Sequence, residues 1–329
     1  MAVIFNVPDA LSKNLPLLDY FMQIVNAQTT SDLIMIRPAA FGYNSQTADN
    51  NTFQHIPHLE QQEVRQRALK EFDELVRKLR AEGVNVKVFE DTLDPVKPDA
   101  VFPNNWVSFH ADGRIVTYPM YSPLRRLERR NDILIKVAED FGFEEKVDLE
   151  DYEDESLYLE GTGSMVLDRV NKIAYACLSP RTDPSVLEKW CDVMDYRSFT
   201  FQAKFDGRDI YHTNVMMAIG DDIAVVCFDV VEEDKRREFY DLLQTTGHEI
   251  VQLSEEQVAS FAGNMLAVRN KKGEQLMVMS GAAFRSLVPD QVQLIEKHAR
   301  IIYSDVDTIE SIGGGSVRCM IAENFLPHI

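Results

Sequence analysis

A chain of 329 residues, 45% hydrophobic and 26% charged, has the make-up of a folded protein, with room for two average domains or one large α/β or repeat domain. Its formal charge of −19 argues against a phosphate-binding face of the kind nucleic acid requires, and no apolar run approaches the ~18 residues that span a bilayer. Solubility is the first use of such an acid surplus; enrichment of small cations near the surface is the second.

Met1 to Ala10 carry Pro8 and Asp9 without a basic flank, unlike a secretory signal. Four cysteines are too few for a disulfide framework in a chain this long. Together these predict a cytoplasmic, reducing setting. Residues 1–32 read as an N-terminal extension with no assignable function, and residues 33–329 as one domain. A strand is expected at 33–37, a helix at 59–81 and a strand at 84–89.

A repeat follows. Five segments share a polar or glycine-rich lead-in, a short apolar strand, a tight turn and a second apolar strand. They begin at Phe102-Pro-Asn-Asn, Gly161-Thr-Gly-Ser, His212-Thr-Asn-Val, Phe261-Ala-Gly-Asn and Gly313-Gly-Gly-Ser. Trp106, Met165, Met216, Met265 and Val317 mark equivalent points at intervals of roughly fifty residues, the period of a propeller or similar closed array. Asp112-Gly113, residues 169–172, Gly220-Asp-Asp222 and residues 270–273 supply the turns. Helical patterns at 131–141, 184–194, 232–245 and 290–299 each lead to a further strand, so the unit is strand, strand, helix, strand. The fifth hairpin stops at Ile329 without its helix and last strand. The elements at 33–89 would complete it, leaving fewer bare sheet edges. Two ordinary α/β domains are the competing architecture.

If the lead-ins converge, Asn104, Asn105, Glu160, His212 and Asn214 meet Cys319. A thiol, an imidazole and a carboxylate in one pocket make a nucleophile, a base and an orienting group, with the thiolate as the reactive species. Cys177, Cys191 and Cys227 sit in apolar patterns and read as small core residues. Cys319 differs because Gly313-Gly-Gly315 allows close backbone approach, although a glycine run also marks ordinary turns. His55, His58 and Glu60 have loop-like spacing, so no metal site is read there, and no cofactor motif is present: the glycine run lacks the Lys-Ser/Thr of a phosphate loop.

From about residue 33 onward the chain resembles the guanidine-modifying superfamily of five-bladed α/β propellers (penteins), which includes arginine deiminases, dimethylarginine hydrolases and amidinotransferases. Pro98-Asp-Ala-Val-Phe102, Leu159-Glu-Gly161, Tyr211-His212 and Ile312-Gly-Gly-Gly-Ser-Val-Arg-Cys319 stand where that superfamily has its substrate loop, orienting carboxylate, base and nucleophile. Ile36-Arg-Pro-Ala-Ala-Phe41 with Asn44, and Phe102-Pro-Asn-Asn-Trp106, look like the branch known as citrulline-utilisation hydrolases. The resemblance implies a ring of five blades closed by the N-terminal segment, with Cys319, His212 and Glu160 as catalytic residues.

The departures bear on substrate. Where dimethylarginine hydrolases carry an acidic pair for the guanidinium, this chain resembles them except for Asn104 and Asn105. Where deiminases carry an aspartate two residues past the histidine, it has Asn214. An amide offers a donor and an acceptor, which suits a neutral urea group. The bland alternative is that the asparagines bond to backbone. Gly163 replaces an acid that often follows the orienting carboxylate. By the same resemblance Arg125 and Arg181 would hold the substrate carboxylate, with surface solvation the competing fate of Arg125, and Asp99 would bond the α-amine or brace its loop. The expectation is a hydrolase taking citrulline to ornithine, ammonia and carbon dioxide through a covalent cysteine adduct. Arginine deiminase, dimethylarginine hydrolase and amidinotransferase are its rivals, and a non-catalytic propeller used as a binding module is the alternative of another class. A small-molecule substrate is the expected partner, with no nucleic acid and no membrane; a homo-oligomer is left open.

Overall fold

The computed structural model describes residues 27–329. Five three-stranded sheets repeat one plan. In each, a short first strand pairs antiparallel with a second, and the second pairs parallel with a third. Four of them run in plain chain order. Their strands are Val107–Phe109, Arg114–Thr117 and Glu145–Asp148; Val166–Asp168, Ile173–Cys177 and Arg197–Phe201; Met217–Ile219, Ile223–Val226 and Glu249–Gln252; and Leu266–Arg269, Gln275–Ser280 and Arg300–Ser304. A fifth sheet joins the two ends of the described chain. Ala322–Glu323 pairs antiparallel with Asp32–Arg37, placing Leu33 opposite Glu323 and Ile34 opposite Ala322, and Asp32–Arg37 runs parallel to Asn85–Glu90. The strand expected at 33–37 therefore completes the truncated last unit.

A parallel pair cannot be joined by a tight turn, and a helix makes each crossover. These helices are Gln61–Ala81, Asn131–Asp140, Pro184–Met194, Glu233–Thr245 and Pro289–His298. Each expected helix is present with ends shifted by at most two residues. In the first, Val64, Ala68, Phe72, Leu75, Val76 and Leu79 are buried, a three-to-four-residue spacing that presents one apolar stripe to the sheets. The second strands Ile173–Cys177 and Ile223–Val226 are buried at every position, as their unbroken apolar runs require. Gly113 and Gly273 take positive φ at two hairpin reversals, where the turn demands it.

The lead-ins coil into single helical turns at Pro103–Asn105, Gly161–Ser164 and Thr213–Val215, which the apolar patterning does not reveal. Side chains then hook each lead-in to the next. Thr162 Oγ1 donates to the Asn104 carbonyl at 3.2 Å, and Thr213 Oγ1 to the Ser164 carbonyl at 2.6 Å. Asn264 Nδ2 donates to the Asn214 carbonyl at 2.8 Å, and the Arg318 N–H to Asn264 Oδ1 at 3.0 Å. The fifth lead-in meets the first through Phe102, whose ring would stand 2.8 Å from a Cβ at Gly313. Of the expected extension, residues 1–26 lie outside the described residues. Gln28 is tied to the second sheet, donating to the Leu167 carbonyl at 2.8 Å and accepting from the Arg169 N–H at 2.7 Å.

Candidate active site

Glu160, His212 and Cys319 are all buried beside one cavity or on its wall. His212 Nε2 lies 2.8 Å from Glu160 Oε2, while Oε1 accepts the Tyr121 N–H at 3.0 Å. Burial alone would raise the Glu160 carboxyl, but Arg181, the His212 hydrogen bond and Arg125 outweigh it and hold it at about 2. Burial pushes His212 down to about 4 against the pull of Glu160. At neutral pH the pair is thus a carboxylate accepting the Nε2–H of a neutral imidazole. That leaves Nδ1 with its lone pair as the basic nitrogen.

Gly163 explains how the imidazole and an amide share one corner. A Cβ there would overlap Asn105 Nδ2 and stand 2.7 Å from His212 Nδ1, so any side chain would drive the two apart. The glycine that departs from the superfamily pattern is a spatial requirement of this pocket. Arg125 fixes the same amide. Its Nη1 donates to Asn105 Oδ1 at 2.8 Å, and because an arginine can only donate, the oxygen must face it and Nδ2 must face the histidine. Asn105 is 2% exposed and its Nδ2 has no partner. Asn214 Oδ1 is a buried acceptor likewise without a partner. The cavity wall therefore presents one free donor, Asn105 Nδ2, while Asn214, which does not line the cavity, keeps a free acceptor next to Cys319.

Arg125 is buried, which rules out surface solvation as its role. Glu128 grips it with two hydrogen bonds of 2.9 Å, and Asp99 lies 3.8 Å from its Nε. Arg181 stacks on the Tyr211 ring at 4.7 Å, donates from Nε to Asn50 Oδ1 at 2.9 Å and lies 3.6 Å from Glu160. Asp99 accepts from Asn44 Nδ2 at 2.7 Å through Oδ2, while its Oδ1 is a buried orphan. Burial raises its carboxyl pKa against the pull of Arg125. Thr47, Asn51 and the glycine run close the cavity, and the Asn51 amide occupies the place a Cβ would need at Gly314, whose φ of +65° also favours glycine. The space enclosed is about 10 Å³, no more than room for one water.

A family model described as N,N dimethylarginine dimethylhydrolase, eukaryotic, matches residues 37–326. The chain belongs to this family. That membership places it within the guanidine-modifying superfamily. No curated protein matches the sequence. Among solved structures, the unliganded arginine dihydrolase ArgZ of cyanobacteria aligns with a TM-score of 0.70 and 16% identity over 91% of this chain and 41% of its own, so the present chain spans less than half the length of that ArgZ chain. The N-terminal domain of ArgZ bound to product aligns with a TM-score of 0.69 and 18% identity, over 90% of this chain and 99% of that domain. A dimethylarginine dimethylaminohydrolase carrying an S-methyl-L-thiocitrulline adduct gives 0.62 and 16%, over 90% of this chain and all of that one. These likenesses speak to the fold.

In this family member the structure gathers Cys319, His212, Asn105, Arg125, Arg181 and Asp99 on the cavity wall, with Glu160 directly behind His212. Asn104 is buried with an unpartnered amide but does not line the cavity. Cys319 Sγ receives Nδ2 donors from Asn214 at 3.4 Å and Asn264 at 3.3 Å, and none from His212, the neighbour the sequence reading had assigned to it. Burial pushes the thiols of Cys177, Cys191 and Cys227 up to about 12, 11 and 11, in keeping with core roles. His55, His58 and Glu60 are exposed, and among the described residues no three His, Cys, Asp or Glu side chains are placed to hold a metal. The sequence reading missed Glu128 and Asn264. Asn264 precedes its repeat marker Met265 as Asn105 precedes Trp106, a signal that was available; Glu128 sits among arginines with nothing to single it out.

Proposed function

We propose that this protein hydrolyses the ureido group of citrulline, releasing ornithine, ammonia and carbon dioxide. The observation that carries the reading is the forced orientation of Asn105, which leaves a buried, unpartnered N–H donor beside His212. A ureido oxygen accepts that bond. A guanidinium has only donors and would leave the amide unsatisfied, at a cost of about 1–3 kcal/mol. Asn214 Oδ1 complements it by accepting from the ureido NH₂. The family's name points to methylated arginine, but Asn105, the amide on the cavity wall beside His212, supplies no anion for a guanidinium.

Cys319 thiolate attacks the ureido carbon, and His212 Nδ1, having taken the thiol proton, delivers it to the departing nitrogen. Glu160 holds the imidazole and stabilises its charged form. The resulting S-linked thiocarbamate is attacked by water, activated at the same Nδ1, and the carbamate released breaks down to carbon dioxide and an amine. One water is consumed overall. Asp99 Oδ1 takes the α-ammonium, and Arg181, exchanging Asn50 for substrate, takes the α-carboxylate; Arg125 stands beside it. The framework of this reading is a single catalytic domain over 33–329 in which the five sheets close as a five-bladed α/β propeller. The four free, buried cysteines accord with a reducing, cytoplasmic location. The test is ornithine release from L-citrulline by purified protein, followed by mass spectrometry, with Cys319→Ala alongside. Turnover by the unmutated protein alone is expected; turnover by Cys319→Ala removes the nucleophile.

A further inference from the structure

Two side-chain amides converge on the sulfur of Cys319, from the lead-ins of the third and fourth hairpins. Asn214 directs its Nδ2 at Sγ and leaves its Oδ1 without a partner. Asn264 is fully buried, and its Oδ1 accepts the Arg318 N–H at 3.0 Å. A backbone N–H can only donate, so the oxygen must face Arg318 and Nδ2 must face inward. The two hydrogens of that nitrogen are then divided between the Asn214 carbonyl at 2.8 Å and Sγ at 3.3 Å. Every hydrogen-bonding position of Asn264 is thus committed to the thiol or to the two segments that hold it.

A thiolate that is 3% exposed loses most of its hydration, and directed donors must replace the water. The other charged or titratable groups around it are Arg125, Arg181, His212, Tyr211 and Asp99 on the cavity wall, with Glu160 behind His212. Tyr211 is spoken for, since its hydroxyl donates to the Gly314 carbonyl. Arg318, next in the chain, turns away to Glu323 and the Ile321 carbonyl, both within 2.9 Å. Only the asparagines have hydrogens directed at Sγ among the described residues.

We propose that Asn264 is a catalytic residue: with Asn214 it forms a paired-amide cradle that holds the Cys319 sulfur as an attack-ready thiolate and fixes its position. This rests on the reading of Cys319 as the nucleophile. A purely structural Asn264 would tie Arg318 to the Asn214 carbonyl and do nothing to the sulfur.

The experiment is iodoacetamide alkylation of the full-length protein as a function of pH, with the modified cysteine identified by peptide mass spectrometry and thermal melting recorded in parallel. Asn264→Asp keeps an oxygen for the Arg318 N–H and the same shape, but sets an anion where the donor stood. Asn264→Ala removes the amide and serves if the aspartate does not fold. With either variant the alkylation midpoint of Cys319 should rise by about one pH unit or more, and the rate at pH 7 should fall roughly tenfold. With citrulline, kcat should fall and KM hold. A variant that folds and alkylates Cys319 with the unmutated pH profile overturns the cradle while leaving the nucleophile in place. If Cys319 is not labelled even in the unmutated protein, the nucleophile reading falls and the cradle with it.

Discussion

Asn105→Asp exchanges one NH₂ for an oxygen and changes little else. Arg125 Nη1, now 2.8 Å from Asn105 Oδ1, keeps an acceptor, so the grip of Glu128 on Arg125 is undisturbed. The lost group is Nδ2, buried, without another partner, and crowded against Gly163 and His212. If it donates to the ureido oxygen, it also supports that oxygen as negative charge gathers there, with no water to substitute. Removing one such preorganised donor costs about 3–4 kcal/mol, or roughly 10²–10³ in kcat/KM. The new carboxylate should at the same time favour a guanidinium, so arginine turnover should rise from its baseline. Ornithine and ammonia release over a citrulline series gives kcat/KM, and a melt within a few degrees of the unmutated protein shows the fold is kept. A citrulline kcat/KM within about threefold of the unmutated value would refute the orientation argument.

Other perturbations probe neighbouring parts. Glu160→Gln keeps the shape of the His212 contact but removes its charge, and kcat should fall about 10³-fold in protein that is still folded, with some loss of melting temperature as the buried arginines lose their anion; a loss in kcat below tenfold contradicts the orienting role. Glu128→Leu strips the buried Arg125 of its bidentate partner and should cost roughly 3–5 kcal/mol in urea unfolding; less than about 1 kcal/mol means that Asn105 and Asp99 already satisfy the arginine. The pH dependence of stability has a definite sign. His212 is held at about 4 against an ordinary 6.5, and Glu160 at about 2 against 4.5, so the unfolded chain binds more protons in both windows. Each contribution is complete above the unfolded value and gone below the folded one, so stability falls as pH drops from 6.5 to 4 through His212 and again from 4.5 to 2 through Glu160. Urea midpoints of the unmutated protein and His212→Gln should therefore diverge above pH 4, and parallel curves would contradict the buried neutral imidazole.

Much of the architecture was legible because it repeats. Trp106, Met165, Met216, Met265 and Val317 recur at one spacing, and that register located each hairpin and showed the last one short of two elements. The pairing of Ile34 with Ala322 follows from the same shortfall. The helical turns at the lead-ins were not legible, since Pro103–Asn105 and Gly161–Ser164 owe their shape to contacts between hairpins such as Thr162 on the Asn104 carbonyl. At the site, residue types identified the Glu160–His212 pair. They did not reveal that asparagines face the sulfur, because Asn214 and Asn264 reach it only after two hairpins distant in sequence are packed side by side. Nor did they tell Arg125 from the arginines around it; burial and the fork of Glu128 make that distinction.

The central claim, a neutral ureido substrate, is met most directly by offering purified protein L-citrulline, L-arginine and asymmetric dimethylarginine in separate reactions and identifying each amino-acid product by mass spectrometry. Ornithine from citrulline, with arginine and dimethylarginine returned unchanged, is the predicted result. Citrulline formed from arginine or dimethylarginine would keep Cys319, His212 and Glu160 in their roles but contradict the reading of Asn105 and Asn214.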